Sequence, residues 1–356
     1  SIKYQEENRR EEIPNIYHPI NNKINIGYFS SDFSNHPVSV SMTKVLELHD
    51  KSKFEIYAYS LSKINDNYTK RIKDAVSFFK EIDHLSDIEI VKLARDDQID
   101  IAIDLNGLTR SNRIAIFSYR VAPIQINYFG YPGSTGLNSF DYILADKVLI
   151  PEENKKFYTE KVLHFPNSCI PCIPFNHNKE DLSQRKFNRE ELGLPSDGFV
   201  FACFNNIRKI TRKELKIWIN LLKKVEKSVL WLIKPNHSAQ NNILSEISNY
   251  GIDKERVIFA EKMNIDEHLL RHSCADLFLD TFNFNAGTTA SIALSAGLPV
   301  ITLLGKSYCA RMAASMLSAC NLNELITYNE AEYESLAYEL ATNKEKLLNI
   351  NLKLKN

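Results

Sequence analysis

Two hydrophobic rhythms alternate along the chain. Short apolar runs rich in β-branched residues predict strands, and stretches with apolar residues three and four apart predict helices. Ile24–Phe29 is the first predicted strand and Phe54–Ser60 the second. Asp87–Asp97 reads as a helix, with Ile88, Ile90, Val91, Leu93 and Ala94 apolar, and Ile99–Leu105 as a buried strand after it. Ile124–Phe129, Asp141–Ala145 and Val162–Phe165 complete a first set of strands. From Pro166 to about Glu190 the pattern breaks. Pro166, Pro171 and Pro174 lead into Asn176-His177-Asn178-Lys179-Glu180-Asp181, which predicts a linker. The alternation then restarts. Strands are predicted at Phe199–Phe204, Ser228–Ile233, Val257–Ala260, Leu277–Asp280 and Pro299–Leu303. Helices are predicted at Thr211–Val225, Gln240–Tyr250, Asp266–His272, Thr288–Ala296, Ala310–Ala319 and Glu330–Asn343. Thr211 followed by Glu214, and Asn264 followed by Glu267, have the spacing of a capping box.

Two successive β/α blocks of similar size predict two doubly wound α/β domains. We place them at 23–175 and 176–356, behind a polar lead-in over 1–22; the length of 356 residues suits two domains. In open parallel sheets, ligands bind beyond the carboxyl ends of the strands. Polar and glycine-rich residues gather at five such places: Ser30–Pro37, Asn106–Arg113, Gly130–Gly136, Asn205–Lys209 and Asn283–Thr289. Two facing sheets with such edges would make a cleft between domains.

Composition narrows the class. Lys plus Arg number 44 and Asp plus Glu also number 44, so the chain lacks the basic excess of a nucleic-acid binder. No apolar run reaches the roughly 18 residues of a membrane span. The opening Ser1-Ile2-Lys3-Tyr4-Gln5-Glu6-Glu7 is not a signal peptide, so the expected location is the cytoplasm, with neither nucleic acid nor membrane as partner. Six cysteines are scattered, and the one close pair, Cys169 and Cys172, has no second Cys or His pair to complete a metal site. They are read as reduced thiols, and no metal is expected.

The polar segments carry candidate chemistry. Asn285-Ala286-Gly287-Thr288-Thr289 follows a strand and opens a helix, where free N–H groups and the helix dipole attract phosphate. The same residues also fit an ordinary Thr-capped helix. Lys209, between a strand and a capped helix, would set a cation against a leaving diphosphate, or else be a solvated loop lysine. Asp32 and His36 lie four apart after the first strand, suited either to relay a proton or to shape the turn. His268, in the first turn of its helix, is either a ligand contact or a surface histidine.

Taken together and in order, these segments resemble one family. Ile26-Gly27-Tyr28-Phe29-Ser30-Ser31-Asp32-Phe33-Ser34-Asn35-His36-Pro37, Asp104-Leu105-Asn106-Gly107-Leu108-Thr109 and Ala122-Pro123-Ile124-Gln125 through Gly130-Tyr131-Pro132-Gly133 are similar to the first blocks of the O-GlcNAc transferase and SPINDLY-like proteins, glycosyltransferase family 41. Phe204-Asn205-Asn206-Ile207-Arg208-Lys209-Ile210, Ser228-Val229-Leu230-Trp231-Leu232 and Asp280-Thr281 through Thr288-Thr289 resemble later ones, so that the likeness spans about 23–345. The resemblance implies a GT-B fold, two facing Rossmann-like domains with the active site in the cleft. It implies inverting transfer of GlcNAc from UDP-GlcNAc to Ser or Thr hydroxyls of proteins, with no metal or other cofactor. Lys209 matches the family's essential lysine on the diphosphate, and Asn206 stands where the family often has Gln. His268 matches a donor-contacting histidine, and Thr288 and Thr289 match phosphate-binding threonines. Asp32 and His36 match residues near the sugar and the proposed proton path, Gly130 and Pro132 match the sugar-pocket loop, and Arg113 and Arg311 match basic positions.

Some positions depart from the family. It usually has His at the position of Gly287 and Asp, on the ribose, at the position of Ile292. Phe284 stands where the animal enzymes have a smaller residue, and Leu108 replaces a Tyr or His. The family carries tetratricopeptide repeats upstream and a histidine before the first strand, for which His18 is no convincing counterpart; its closing helices lead us to expect a second domain shortened at its C-terminal end. An impaired nucleotide-binding or protein-interaction module of the same fold is the alternative function. A dinucleotide-dependent oxidoreductase is disfavoured, because no G-x-G-x-x-G follows the first strand.

Overall fold

The computed structural model of the chain describes residues 22–172 and 186–355. The lead-in before Asn22 and residues 173–185 of the predicted linker lie outside it. The chain divides into two compact units between Pro171 and Cys172.

Unit 1 is built from seven strands: β1 (Ile24–Ser30), β2 (Phe54–Ser60), β3 (Phe78–Glu81), β4 (Ile101–Asp104), β5 (Ile124–Asn127), β6 (Tyr142–Ala145) and β7 (Lys161–His164). Every pairing is parallel, in the order β3-β2-β1-β4-β5-β6-β7. Helices lie between the strands: α1 (Pro37–Glu47), α2 (Asn67–Ala75), α3 (Asp87–Asp96) and the single turn α4 (Ala115–Ser118). Covered on both faces, the last five residues of β1 are buried without alternation. Phe29 stacks on Tyr59 at 4.4 Å and meets Phe117 edge-on at 5.5 Å in the core of this unit. The helices have legible starts. His36 caps α1 and Pro37 opens it, while Asp66 with Thr69 and Ser86 with Glu89 form capping boxes for α2 and α3.

Unit 2 repeats the plan with six parallel strands, β8 (Val200–Cys203), β9 (Val229–Ile233), β10 (Val257–Ala260), β11 (Leu277–Leu279), β12 (Val300–Leu303) and β13 (Ile326–Thr327), in the order β10-β9-β8-β11-β12-β13. Its helices are α5 (Arg212–Lys224), α6 (His237–Asn249), α7 (Ile265–Arg271), α8 (Thr288–Ser295), α9 (Met312–Ala319), α10 (Glu330–Thr342) and α11 (Lys344–Lys355). Trp218 on α5 and Trp231 on β9 are wholly buried in its core. None of the described helices is long and apolar enough to cross a membrane.

The pattern of predicted strands holds, with ends that agree to within one or two residues. Several elements escaped it: α1, α2, β3, α4, β13 and α11. The sequence of α1, PVSVSMTKVLE, is rich in Ser, Val and Thr, which are weak helix formers, so its cap and buried face must hold it. Asn264 caps α7 by accepting from the Glu267 N–H at 2.9 Å.

In each unit the strand order reverses between the first strand and the fourth, β1 beside β4 and β8 beside β11. This is where a doubly wound sheet opens a crevice for ligands. Both reversals are bridged by asparagine. Asn106, after β4, accepts from Ser31 N–H at 2.6 Å and donates to Ser31 Oγ at 2.9 Å. Asn205, after β8, donates to Asp280 Oδ1 at 3.1 Å and Thr281 Oγ1 at 2.8 Å, both after β11.

Candidate functional site

The switch point of unit 2 gathers most of the predicted donor-binding residues. Thr211 and Glu214 form the capping box that starts α5, and the chain turns tightly through Ile207–Lys209 just before it. Asn206 is the cap of that turn, its Oδ1 accepting from Arg208 N–H at 3.1 Å. The turn aims Lys209 inward. Its Nζ donates to the Asn285 carbonyl at 2.9 Å and sits 3.9 Å from the centre of the Phe284 ring. No carboxylate of the described residues lies within ion-pair distance of it. Burial pulls the Lys209 pKa below its usual value, and Asp280 is the first of the groups that oppose this. A half-buried ammonium with no anion of its own is suited to receive one.

Beside it lies the start of α8. Gly287 occupies the cap position and no side chain caps this helix, in contrast to α5, α6, α7 and α10. The first N–H groups of α8 thus point out of the helix with no carbonyl a turn behind them. Thr289 turns its hydroxyl to Asn205 Oδ1, which ties α8 to the end of β8. A Cβ on Gly287 would lie 2.6 Å from Met312 Cε, the far end of a flexible side chain on α9 that would have to shift to admit it. Arg311, just before α9, donates to the Gly305 carbonyl at 2.8 Å. Ile292 lies on the buried side of α8, at 4% exposure.

His268 is not a surface histidine. Its ring packs edge-on against Phe204 at 5.2 Å and His272 at 4.6 Å. Arg271 Nε donates to His268 Nδ1 at 2.8 Å. An arginine only donates, so Nδ1 is the acceptor and the ring proton sits on Nε2. Burial lowers the His268 pKa to about 2, so the ring is neutral and offers one N–H. The residues after β8 therefore join three parts of the site: Phe204 touches His268, Asn205 holds Thr289, and Lys209 follows.

Two carboxylates to which the sequence reading gave no role in the site organise this end of the unit. Asp280 is fully buried and accepts from four groups, and Glu214, also fully buried, accepts from Phe282 N–H at 2.8 Å as well as from its own capping box. For Asp280 the available signal was an acidic residue directly after a run of buried strand residues.

In unit 1, Asp32 and Asn106 meet, with Asn106 Nδ2 donating to Asp32 Oδ2 at 2.7 Å. His36 Nδ1 lies 3.6 Å from Asp32 Oδ2 and accepts from Val38 N–H at 3.3 Å. One nitrogen cannot accept from Val38 and donate to Asp32 at once. As the cap of α1, neutral His36 carries its proton on Nε2. To work as a base through Nδ1 it must release the Val38 N–H and give up the cap. The loops after β4 and β5 interlock. A Cβ on Gly130 would stand 1.7 Å from the Leu105 carbonyl oxygen, and one on Gly107 would stand 2.4 Å from Tyr131 Cβ. The Gly130–Pro132 loop thus lies against Asn106–Gly107 and within reach of Asp32's partner. Arg113 stands apart from this group: its guanidinium donates to Asp87 and to the Leu85 carbonyl at the start of α3.

Comparison with known proteins agrees with this geometry. The family model "Glycosyl transferase family 41" matches residues 10–172 and 178–356. The chain is 36% identical over 330 residues to the probable UDP-N-acetylglucosamine–peptide N-acetylglucosaminyltransferase SEC of Arabidopsis thaliana, covering 91% of this chain and 34% of that protein. It is 27% identical over 447 residues to the UDP-N-acetylglucosamine–peptide N-acetylglucosaminyltransferase of Caenorhabditis elegans, covering 93% of this chain and 38% of that one. It therefore spans little more than a third of the length of these curated relatives. Among solved structures, an O-GlcNAc transferase mutant of Thermobaculum terrenum superposes with a TM-score of 0.86 at 27% identity, covering 96% of this chain and 65% of that one. The two parallel α/β units have the GT-B fold, and the chain belongs to glycosyl transferase family 41.

Proposed function

We propose that the chain transfers GlcNAc from UDP-GlcNAc to Ser or Thr hydroxyls of proteins, with inversion and without a metal. The observation that carries this reading is the Lys209 ammonium, held without a carboxylate partner beside the uncapped start of α8. The names of the relatives supply the donor and the acceptor class. In the step itself the acceptor oxygen bonds to the anomeric carbon as the bond from that carbon to the diphosphate oxygen breaks. UDP leaves with the electron pair. Lys209 and the first N–H groups of α8, with the hydroxyl of Thr288, would meet the charge that develops there. The N–H on His268 Nε2 and the side chain of Asn206 are further donors for UDP. Asp32 or His36 would take the acceptor's proton, directly or through water. We place the full-length protein in the cytoplasm, with tetratricopeptide repeats upstream presenting the acceptor.

Lys209→Ala should abolish transfer to an acceptor peptide and weaken UDP binding while leaving the melting transition in place. Turnover retained by the purified variant would sink the assignment. A second reading, nucleotide binding without turnover, is favoured by Ile292, since the position where the family has a ribose-holding carboxylate is here a buried aliphatic. Saturable UDP binding with neither sugar transfer nor donor hydrolysis would select it.

A further inference from the structure

Asp280 has no role in the reading above, yet more of the site converges on it than on any residue already assigned. Its side chain is fully buried. Oδ1 accepts from Ala286 N–H at 2.6 Å, Thr281 N–H at 2.8 Å and Asn205 Nδ2 at 3.1 Å; Oδ2 accepts from Thr302 Oγ1 at 2.7 Å. Its own carbonyl accepts from the buried Tyr333 hydroxyl at 3.0 Å. The donors come from four places: the loop after β8, the start of the β11–α8 loop, the residue just before Gly287, and the middle of β12. Asn205 passes the connection on to Thr289.

Burying a carboxylate is costly unless its bonds and a nearby charge offset the lost hydration. Here the bonds are complete, and no cation of the described residues lies within ion-pair distance. The charge that faces Asp280 is Lys209. An ionised carboxylate is the one side chain of this size that accepts from every direction, which is what four converging donors require.

We infer that Asp280 is the positioning residue of the phosphate-binding end of unit 2, fixing the start of α8, Asn205 with Thr289, and the Lys209 ammonium relative to one another. It acts through these groups and does not itself touch the donor. The inference rests on the reading of this end as a UDP site. It has an electrostatic side as well. Burial draws the Lys209 pKa down; the titratable groups facing Lys209 are Asp280, Cys203 on β8 and Cys309 in the turn before α9, and Asp280 is the foremost of those that hold it up.

Asp280→Asn separates charge from shape. The amide oxygen can keep the three bonds of Oδ1, and the Thr302 hydroxyl can turn to accept from the new NH2. Binding of UDP, measured by calorimetry from pH 7 to 10 on the full chain, should then be roughly tenfold weaker at pH 7, within the range for residues coupled in one hydrogen-bond network. The alkaline loss of binding, to which Lys209 adds beyond the ionisation of the uracil itself, should begin at lower pH than in the wild-type chain. Lys209→Ala should bind weakly and keep only the alkaline loss that the uracil causes. Should Asp280→Asn fail to fold, Thr302→Val tests the same connection from β12, and it should weaken UDP binding several-fold. Wild-type affinity and pH profile in Asp280→Asn, or wild-type affinity in Thr302→Val, overturns the proposal while the UDP reading stands on Lys209→Ala. A wild-type chain that binds no UDP overturns that reading, and the proposal with it.

Discussion

At the scale of single residues, glycine shows the difference between presence and reason. Gly130 and Gly133 are three apart in one loop. A Cβ at Gly130 would collide with the Leu105 carbonyl at 1.7 Å, whereas one at Gly133 would make ordinary contact with Tyr131 at 3.7 Å. Gly130→Ala should therefore destabilise by about 1–3 kcal/mol, as overpacking does, and Gly133→Ala should be close to neutral. Thermal melting of the two variants side by side checks this; equal midpoints would contradict it. Both glycines stand in the sequence with equal weight, and only the fold shows that one faces a backbone carbonyl and the other has room for a methyl group. His36 was similarly half legible. Its spacing from Asp32 was plain, but the Val38 N–H that claims its Nδ1 was not, because a cap is a property of backbone direction. Lys209 was legible through the family resemblance alone, since a lysine between a strand end and a capping box is as readily a solvated loop residue; that it turns inward to the Asn285 carbonyl shows only in the fold.

Elements were legible where hydrophobic period and caps agreed. Thr211 and Glu214 announce α5 from sequence, and the structure forms both bonds of that box. What the pattern leaves out is that Glu214 also holds Phe282 N–H in the loop leading to α8. The two residues of the box should therefore behave differently. Thr211→Ala should cost about 1 kcal/mol of stability, as a lost cap does, and leave UDP affinity unchanged. Glu214→Ala should cost more, because a buried N–H loses its partner, and should weaken UDP binding too. Equal affinity of the two variants for UDP would break the link drawn between α5 and the α8 loop. Elements built against propensity, such as α1, or too short for a period, such as α4 and β13, give little sequence signal, because tertiary burial rather than local preference makes them.

At the scale of the whole molecule, the buried titratable groups are unevenly shared. Asp104 in unit 1 and Asp280 in unit 2 are raised by burial to about 6. A carboxyl raised on folding binds its proton more tightly in the folded chain, so each adds stability as pH falls from about 6 to about 4. Buried histidines act in the opposite sense. Burial lowers His268 to about 2 and His272 to about 3, while the unfolded chain takes these protons near 6.5. Their contribution is present above the unfolded pKa and is lost as pH falls. Among the described residues of unit 2, two histidines lowered by burial stand against one raised aspartate. As pH falls from about 6.5 to about 4.5, unit 2 should therefore lose stability. Urea unfolding across that range would show it, and a midpoint for unit 2 that does not move would refute it.

Those measurements can be made on one half of the chain without dividing it. The two tryptophans of the sequence, Trp218 and Trp231, are both in unit 2, at 1% and 0% exposure. Emission excited at the red edge, where tyrosine does not absorb, comes from that half alone. Far-ultraviolet circular dichroism sums both halves. The two signals superpose if the chain unfolds as one body and part if unit 2 lets go first, so the natural placement of two indoles makes the protein its own optical label.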